Sequence, residues 1–417
     1  MPKRQYAPSR DEPEYIPFFR KGGYHRDIDF SMNIGIDASF LRRPGTGIGQ
    51  VTSNFLQKAG EYRDRDSMPK DSEFFLYCEE EPGSDFALPG NFHLRSFLPF
   101  WKRDDVPRRI IWERELAKRA AEDGCDAFLS LSQSSTVMPD RIRHVMIVHD
   151  IIPRLFPRYL GTLTRKFHWR AIERGIRKAD HVIAVSQRTK ADLVSHLGIP
   201  EERITVASPD CDPSFRMETA PDDIARVMKK YALEPGYIYH GGGLEIRKNA
   251  GALLRAYAAL RKARTDMPML VISGKVFAPE NRLATDVRGI VRELGLEESV
   301  VVLGFVPGED LPALYRGASM FVYPSLYEGF GLPVLEAFVS GTPVIAARAG
   351  SIPELAGDAA LLVDPTREDE LTTGMARLHD DTELRAELAE RGKRRADDFS
   401  WGPFVETTMR ILEADRH

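Results

Sequence analysis

MNIGIDASFLRRPGTGIGQVTSNFLQKAG, residues 32–60, decides the fold. MNIGID (32–37) is an apolar run of strand length, RRPGTGIG (42–49) is a glycine-rich loop, and QVTSNFLQKAG (50–60) spaces its apolar residues at the helical period before a glycine stop. Strand, loop and helix in that order open an α/β fold. The runs FFLYC (74–78), AFLSLS (127–132), VMIVHD (145–150) and HVIAVS (181–186) continue it, alternating with helical segments such as WERELAKRAAEDG and KADLVSHLG. That alternation builds a parallel sheet with helices on both faces.

The rhythm resets at ITVASPDCDPSF (204–215), a segment of turn residues, and restarts with GYIYHGGG (236–243). MLVISG (269–274), VVVLGF (300–305), MFVYPS (320–325), PVIAAR (343–348) and AALLV (359–363) complete a second series. The reading is two Rossmann-like, doubly wound domains in tandem, at 31–212 and 213–398. A polar, aperiodic extension (1–30) precedes them, and a closing helix (399–417), with Phe404, Met409 and Leu412 at helical spacing, follows. The glycine segments 45–49, 241–243 and 329–331 all follow strands, at the carboxyl edge where such sheets bind ligands, so they converge on one central cleft.

Composition narrows the class. A chain of 417 residues with 42% apolar content can bury two cores, and a net charge of −4 argues against a general nucleic-acid binder. Cys78, Cys125 and Cys211 are scattered without metal or disulfide spacing, which fits a reducing cytoplasm. Neither an apolar leader core nor an apolar run of membrane-spanning length occurs, so a cytoplasmic chain is expected.

PSLYEGFGLPVLEAFVSGTPV (324–344) carries the chemistry. Pro333 suits the start of a helix and Gly341 its stop, which puts Glu328 in the preceding loop and Glu336 in the first turn. Backbone N–H groups of Gly329, Phe330, Gly331 and Leu332 can then face an anion such as a diphosphate. Carboxylates beside an anion site repel phosphate but accept hydroxyl hydrogens, as an acid does at the ribose of dinucleotide folds. A sugar nucleotide satisfies both. The plainer reading gives Glu336 to the helix dipole and Glu328 to the surface. HGGGLEIRKNAGALLRAY (240–257) tips the balance, because Arg247 and Lys248 before a helix starting near Asn249 can neutralise a leaving diphosphate.

Together these motifs resemble the retaining glycosyltransferases of family 4, with the GT-B fold, whose paired acids have the Glu328–Glu336 spacing. The resemblance runs from about residue 32 to 415, through GIDASFLRRPGTGIGQV, IVHDIIP, ADHVIAVSQRTKADLV, GGGLEIRKN and the signature stretch. This set of motifs is similar to the bacterial mannosyltransferase-like group that builds surface polysaccharides. The resemblance implies that Glu336 binds the donor ribose, that Glu328 faces hydroxyls of the transferred sugar, and that Lys248 with Arg247 binds the diphosphate. The family's usual arginine after the strand glycine is here Gly242 or Gly243, leaving Arg247 as the candidate substitute. His149 matches the family's cleft histidine, Gly47 lies in the segment resembling its amino-terminal donor-side loop, and Gly243 in the one resembling its phosphate-clamping turn. The closing helix is expected to cross back onto the first domain.

Two motifs compete with this reading. Gly45-Thr46-Gly47-Ile48-Gly49-Gln50 fails the dinucleotide fingerprint because Gln50 stands where glycine is needed. Asp210-Cys211-Asp212 resembles a metal-binding DxD but falls in the domain linker, so neither a metal nor another cofactor is expected. Eight basic residues between Arg154 and Lys178 face one acid, Glu173, and RSFLPFWKRDD adds Phe97, Phe100 and Trp101, with Trp112 just beyond. Such a face suits an anionic membrane surface, and equally suits plain solvation. The expected activity is hexosyl transfer, mannosyl for this group, from a GDP- or UDP-sugar to a glycan or lipid-linked glycan in surface polysaccharide assembly. The enzyme would be cytoplasmic or peripheral on the inner membrane face. A GT-B phosphorylase, an epimerase or a non-catalytic nucleotide-sugar binder would reuse the same cleft.

Overall fold

The computed structural model describes residues 31–62, 72–79, 90–97, 105–277 and 280–414; the extension 1–30 and the pair Phe100 and Trp101 lie outside the described residues. The first sheet comprises β1 (Asn33–Asp37), β2 (Glu73–Cys78), β3 (Phe92–Ser96), β4 (Ala127–Ser130), β5 (Arg143–Val148), β6 (His181–Ala184) and β7 (Ile204–Val206), in the order β3-β2-β1-β4-β5-β6-β7. The second comprises β8 (Tyr237–His240), β9 (Leu270–Ser273), β10 (Val300–Gly304), β11 (Ala318–Tyr323), β12 (Val344–Ala347) and β13 (Ala360–Val363), in the order β10-β9-β8-β11-β12-β13. Every pairing is parallel.

Central strands such as β4, β8, β9 and β12 are buried along their whole length, as a sheet covered on both faces requires. Gly35 in β1 is needed for packing, since a Cβ there would lie 2.6 Å from the Phe128 ring. Strand order reverses between β1 and β4 in the first sheet and between β8 and β11 in the second. At each reversal the loops leaving the carboxyl ends diverge and open a crevice. The second crevice is bracketed by the loop after β8, which holds Arg247 and Lys248, and the loop after β11, which holds Glu328.

Two strands depart from the sequence reading. Ile204–Val206 forms the edge strand β7 on β6, although the turn residues that follow dominate its sequence. Phe92–Ser96 pairs with β2 as β3, its His93 and Arg95 meeting Glu73 and Asp123 where an apolar run would have been the visible signal.

The helix Trp401–Glu413 crosses from the second domain to the first. Phe404 meets Phe55 of the helix Gly47–Tyr62 edge-on at 6.1 Å, and Arg143 Nε donates to the Ile411 carbonyl at 2.9 Å. The chain thus passes between the domains twice, and the two passages are tied together. Arg216 donates to both Asp210 carboxylate oxygens (3.0 and 2.9 Å) and to the carbonyls of Ala396 (2.8 Å) and Phe399 (2.9 Å). The Trp401 indole N–H donates to the Cys211 carbonyl at 2.9 Å.

Candidate functional site

Glu328 sits at the centre of the second crevice. Its Oε1 accepts from Lys248 Nζ (2.9 Å), the Tyr323 hydroxyl (2.8 Å) and the Ser325 hydroxyl (2.6 Å), and lies 2.7 Å from Arg247 Nη1. Burial alone would raise its pKa, but the Arg247 and Lys248 charges and the Ser325 hydroxyl overcome this and hold it at about 2. All four of these contacts fall on Oε1. With all three groups ionised the cluster carries one net positive charge.

Arg247 is largely committed inside the protein. Besides Glu328 it donates to the Tyr327 carbonyl and reaches Glu245 at 3.5 Å, while its buried Nε has no partner. Lys248 donates to the Tyr323 hydroxyl and to Glu328, so one of its three N–H groups remains. Burial pushes its pKa down against the opposing Glu328 charge. The arginine expected to stand in for the missing clamp residue is therefore the more heavily engaged of the two cations.

The turn Gly329–Leu332 supplies neutral donors. The helix Leu332–Val339 starts beyond Gly331, whose φ of 113° only glycine tolerates readily. Among the described residues no protein acceptor takes the amides of Phe330, Gly331 or Leu332, consistent with the free N–H groups at a helix start. The Phe330 ring turns away and packs edge-on against Phe399 at 5.6 Å, so only its backbone is available to the cleft. Gly242 (φ 88°) lies under this turn, a Cβ there meeting Pro333 at 2.7 Å, and Gly243 beside it (φ 102°) meets nothing within 4 Å. The glycine segments after β8 and β11 thus adjoin.

Glu336 is the fifth residue of its helix, one position beyond the first turn expected for it. It is buried, and its Oε2 accepts from the Tyr315 hydroxyl at 2.8 Å. Burial raises its pKa to about 7; Tyr315 and Gln50 oppose the rise and Asp212 adds to it. Gln50 comes from the first domain, where the fingerprint reading would have needed glycine. Gly47 nearby lies against Leu332, a Cβ there reaching its Cδ1 at 3.7 Å.

His149, just past β5, closes the site from the first domain. Its Nε2 donates to the Leu131 carbonyl at 2.9 Å, which assigns the proton to Nε2 and leaves a lone pair on Nδ1. Burial lowers its pKa, so the ring is neutral. Its amide donates to Gln133 Oε1 at 3.2 Å. Gly329 presses against the His149 carbonyl so closely that a Cβ would lie 1.8 Å from the oxygen. Around this contact the Ser186 hydroxyl donates to the Gly329 carbonyl (2.6 Å), Tyr327 donates to Asp192, and Glu354 accepts the Gln187 and Arg188 amides (2.8 and 3.1 Å).

Thus Arg247, Lys248, Glu328 and the Gly329–Leu332 turn share one crevice, with Gly243 at its edge, and His149 faces the turn across the domain boundary. Glu336 is buried beside Tyr315 and Gln50, and Gly47 lies against Leu332 at the start of the same helix. Tyr323, Ser325, Tyr315 and Gln50 complete these groups without having been singled out, because nothing in their sequence neighbourhoods shows which way they turn. Asp210 and Asp212 have other occupations: Asp210 pairs with Arg216, and Asp212 accepts from the Ser214 amide at a helix start. Among the described residues no three His, Cys, Asp or Glu side chains cluster as a metal site. Nor is any helix among them long and apolar enough to cross a membrane.

Residues 223–395 match the family described as glycosyl transferases group 1, and residues 70–215 match glycosyltransferase family 4. The O-antigen chain mannosyltransferase B of Escherichia coli is 33% identical over 298 residues, 71% of this chain and 74% of that protein. The serotype-specific mannosyltransferase WbdA of Escherichia coli is 30% identical over 280 residues, 65% of this chain and 34% of WbdA. In overall fold the chain is similar to Anabaena HepE, a structure in complex with UDP and glucose, with a TM-score of 0.69 at 20% identity, covering 93% of this chain and all of that one.

Proposed function

The chain belongs to the group 1 and family 4 glycosyltransferases, and on that premise we propose that it transfers a hexose, mannose by preference, from a nucleotide-diphosphate sugar to a glycan hydroxyl with retention. The observation that carries the reading is the Arg247–Lys248–Glu328 cluster beside the unpaired amides of Phe330, Gly331 and Leu332. Preorganised donors of this kind favour charge developing on a leaving diphosphate more than they favour the intact donor. Lys248 and the amides receive that charge, and Arg247 keeps Lys248 and Glu328 in register. Glu328 Oε2 accepts a hydroxyl of the transferred sugar. Glu336 accepts from the ribose, which adds a donor to a carboxyl that burial otherwise keeps half protonated near neutrality.

The acceptor hydroxyl attacks on the face from which the diphosphate departs, with neutral His149 lining that space. Glu328 serves as a hydroxyl and cation partner in this reading, so no covalent glycosyl-enzyme is assigned. Mannose and a role in surface polysaccharide assembly follow the mannosyltransferase relatives, and a guanine nucleotide is the first donor to test. Contact with an anionic membrane is supported by the Leu163–Lys178 helix: Leu163 and Phe167 are 71% and 64% exposed, and Arg165, Lys166, Arg174 and Lys178 have no acid partner among the described residues. Equal sedimentation with neutral and anionic vesicles would remove that part.

A thermal-shift series of GDP, UDP, ADP and their sugars tests the core of the reading. A nucleotide at a hundred times its Kd stabilises by about 2.7 kcal/mol, so the right base raises Tm clearly above the others. A chain that no nucleotide diphosphate stabilises does not carry this function.

A further inference from the structure

Arg247 makes one bond fewer than its surroundings invite. It is buried, yet its Nε finds no acceptor among the described residues. A buried N–H left unpaired is unfavourable, the more so on a charged group. Nε and Nη2 form one edge of the guanidinium, the fork that takes a carboxylate in two parallel bonds. A carboxylate stands beside that fork without entering it. Glu245 Oε2 lies 3.5 Å from Nη2, at the limit of a hydrogen bond, and leaves Nε alone. On the opposite side Nη1 is taken by Glu328 Oε1 at 2.7 Å and by the Tyr327 carbonyl.

The backbone is not what keeps Glu245 back. Its chain is fixed by a bridge to Ala284, by the bond from the Ile246 amide to the Leu283 carbonyl (3.0 Å) and by the Lys248 amide on its own carbonyl (2.9 Å), but its side chain is nearly half exposed and can turn. What engages that side chain comes from the other domain. Tyr159, in the short turn Pro157–Leu160, donates its hydroxyl to the same Oε2 at 3.3 Å, and its oxygen is within hydrogen-bond reach of Arg247. Burial first, and the Glu245 charge second, push the phenol up to about 12, so Tyr159 stays a donor at any working pH. One hydroxyl from across the domain boundary thus stands between the carboxylate and the fork it would otherwise fill.

We infer that Tyr159 is a positioning residue that ties the strength of the diphosphate clamp to domain closure: with the domains together it holds Glu245 off Arg247, and when they part it frees Glu245 to close on the guanidinium. The inference rests on the transferase reading above and adds a regulation of that site. With Glu245 held by Tyr159, Arg247 stays on Glu328, and Arg247, Lys248 and Glu328 keep one net positive charge for the leaving diphosphate. With Glu245 on Nε and Nη2, that charge is cancelled and Arg247 is drawn from Glu328. Stabilisation of the leaving group is then strongest while the sugar is enclosed, and the nucleotide diphosphate is let go as the cleft opens.

A double-mutant cycle tests it, read on release of the nucleotide diphosphate from GDP-mannose, or from a UDP-hexose if the thermal-shift series selects uridine, with water as acceptor so that no glycan has to be chosen. Tyr159→Phe keeps the ring and removes the hydroxyl. Its kcat falls roughly tenfold with a smaller change in donor KM, because the stabilisation lost is that of the departing diphosphate. Glu245→Gln removes the charge that competes for Arg247, so in that background Tyr159→Phe lowers kcat by less than about twofold. A wild-type kcat in Tyr159→Phe overturns the inference. So does an undiminished loss in the Glu245→Gln background, since Tyr159 would then act without Glu245. The nucleotide thermal shift of the wild type reports separately on the transferase reading: a protein that binds its nucleotide and cleaves the donor, yet shows no coupling between Tyr159 and Glu245, refutes the positioning role alone.

Discussion

Glu336→Gln should make the ligand-free protein more stable while weakening its hold on the donor. Burial holds the Glu336 carboxyl at about 7 in the folded chain, against an ordinary value of 4.5. A folded-state pKa above the unfolded one means the stability is intact below 4.5 and is lost as pH rises through 7, because the folded protein resists the ionisation that the unfolded chain permits. Integrated over that window, the wild type forgoes about 1 kcal/mol at pH 5, about 2 kcal/mol at pH 6 and about 3 kcal/mol at pH 8. Glutamine has nearly the same shape, never ionises, and still accepts from the Tyr315 hydroxyl through its carbonyl. Urea denaturation of both proteins at pH 5 and pH 8 should therefore show an advantage for the variant that widens by about 2 kcal/mol between the two. The nucleotide thermal shift of the same variant should shrink, since an amide is a poorer acceptor for ribose hydroxyls than a carboxylate. A variant whose advantage does not grow with pH would refute the argument, because it would mean Glu336 is ionised at no cost in the folded state.

Glu328→Gln should do the opposite. It strips a buried carboxylate from between Arg247 and Lys248, so urea denaturation at pH 7 should register a loss of about 3–5 kcal/mol, together with loss of transfer. A loss under about 1 kcal/mol, the size of an exposed pair, would show that the cations do not depend on it. Gly329→Ala places a methyl on the His149 carbonyl and should hold the domains apart, lowering transfer by about a hundredfold or more and raising the radius of gyration in solution scattering. Transfer at the wild-type rate would show that the contact is not part of the working state.

The fold was legible because its central strands are near-continuous apolar runs closed by glycine loops, a pattern that survives in one dimension. β3 and β7 were not: FHLRS carries His93 and Arg95, whose partners lie on other elements, and ITV is too short to rise above the turn residues after it. The same division holds at the site. Arg247, Lys248, Glu328 and the glycine turn sit within motifs whose spacing fixes their backbone, and the strand reversal between β8 and β11 brings them together. Tyr323 and Ser325 looked like the end of a strand, yet both donate to Glu328. Asp37 closes a strand whose apolar run concealed it, and Glu113 lies amid other charges on a helix; only the packing of Trp112 and His168 shows which of those acids face inward.

The Arg216 knot at the domain crossings has a kinematic consequence. Two rigid bodies joined by one flexible strand can tumble freely, and two separated strands would let them shear. Here both crossings are fastened side by side by a single guanidinium, with the Trp401–Cys211 bond beside it. A joint fastened at two adjacent points restricts the relative motion of the two domains more than either crossing would alone. The registration it holds is the one in which Gly329 rests on the His149 carbonyl, and two adjacent fastenings preserve that registration better than either crossing alone.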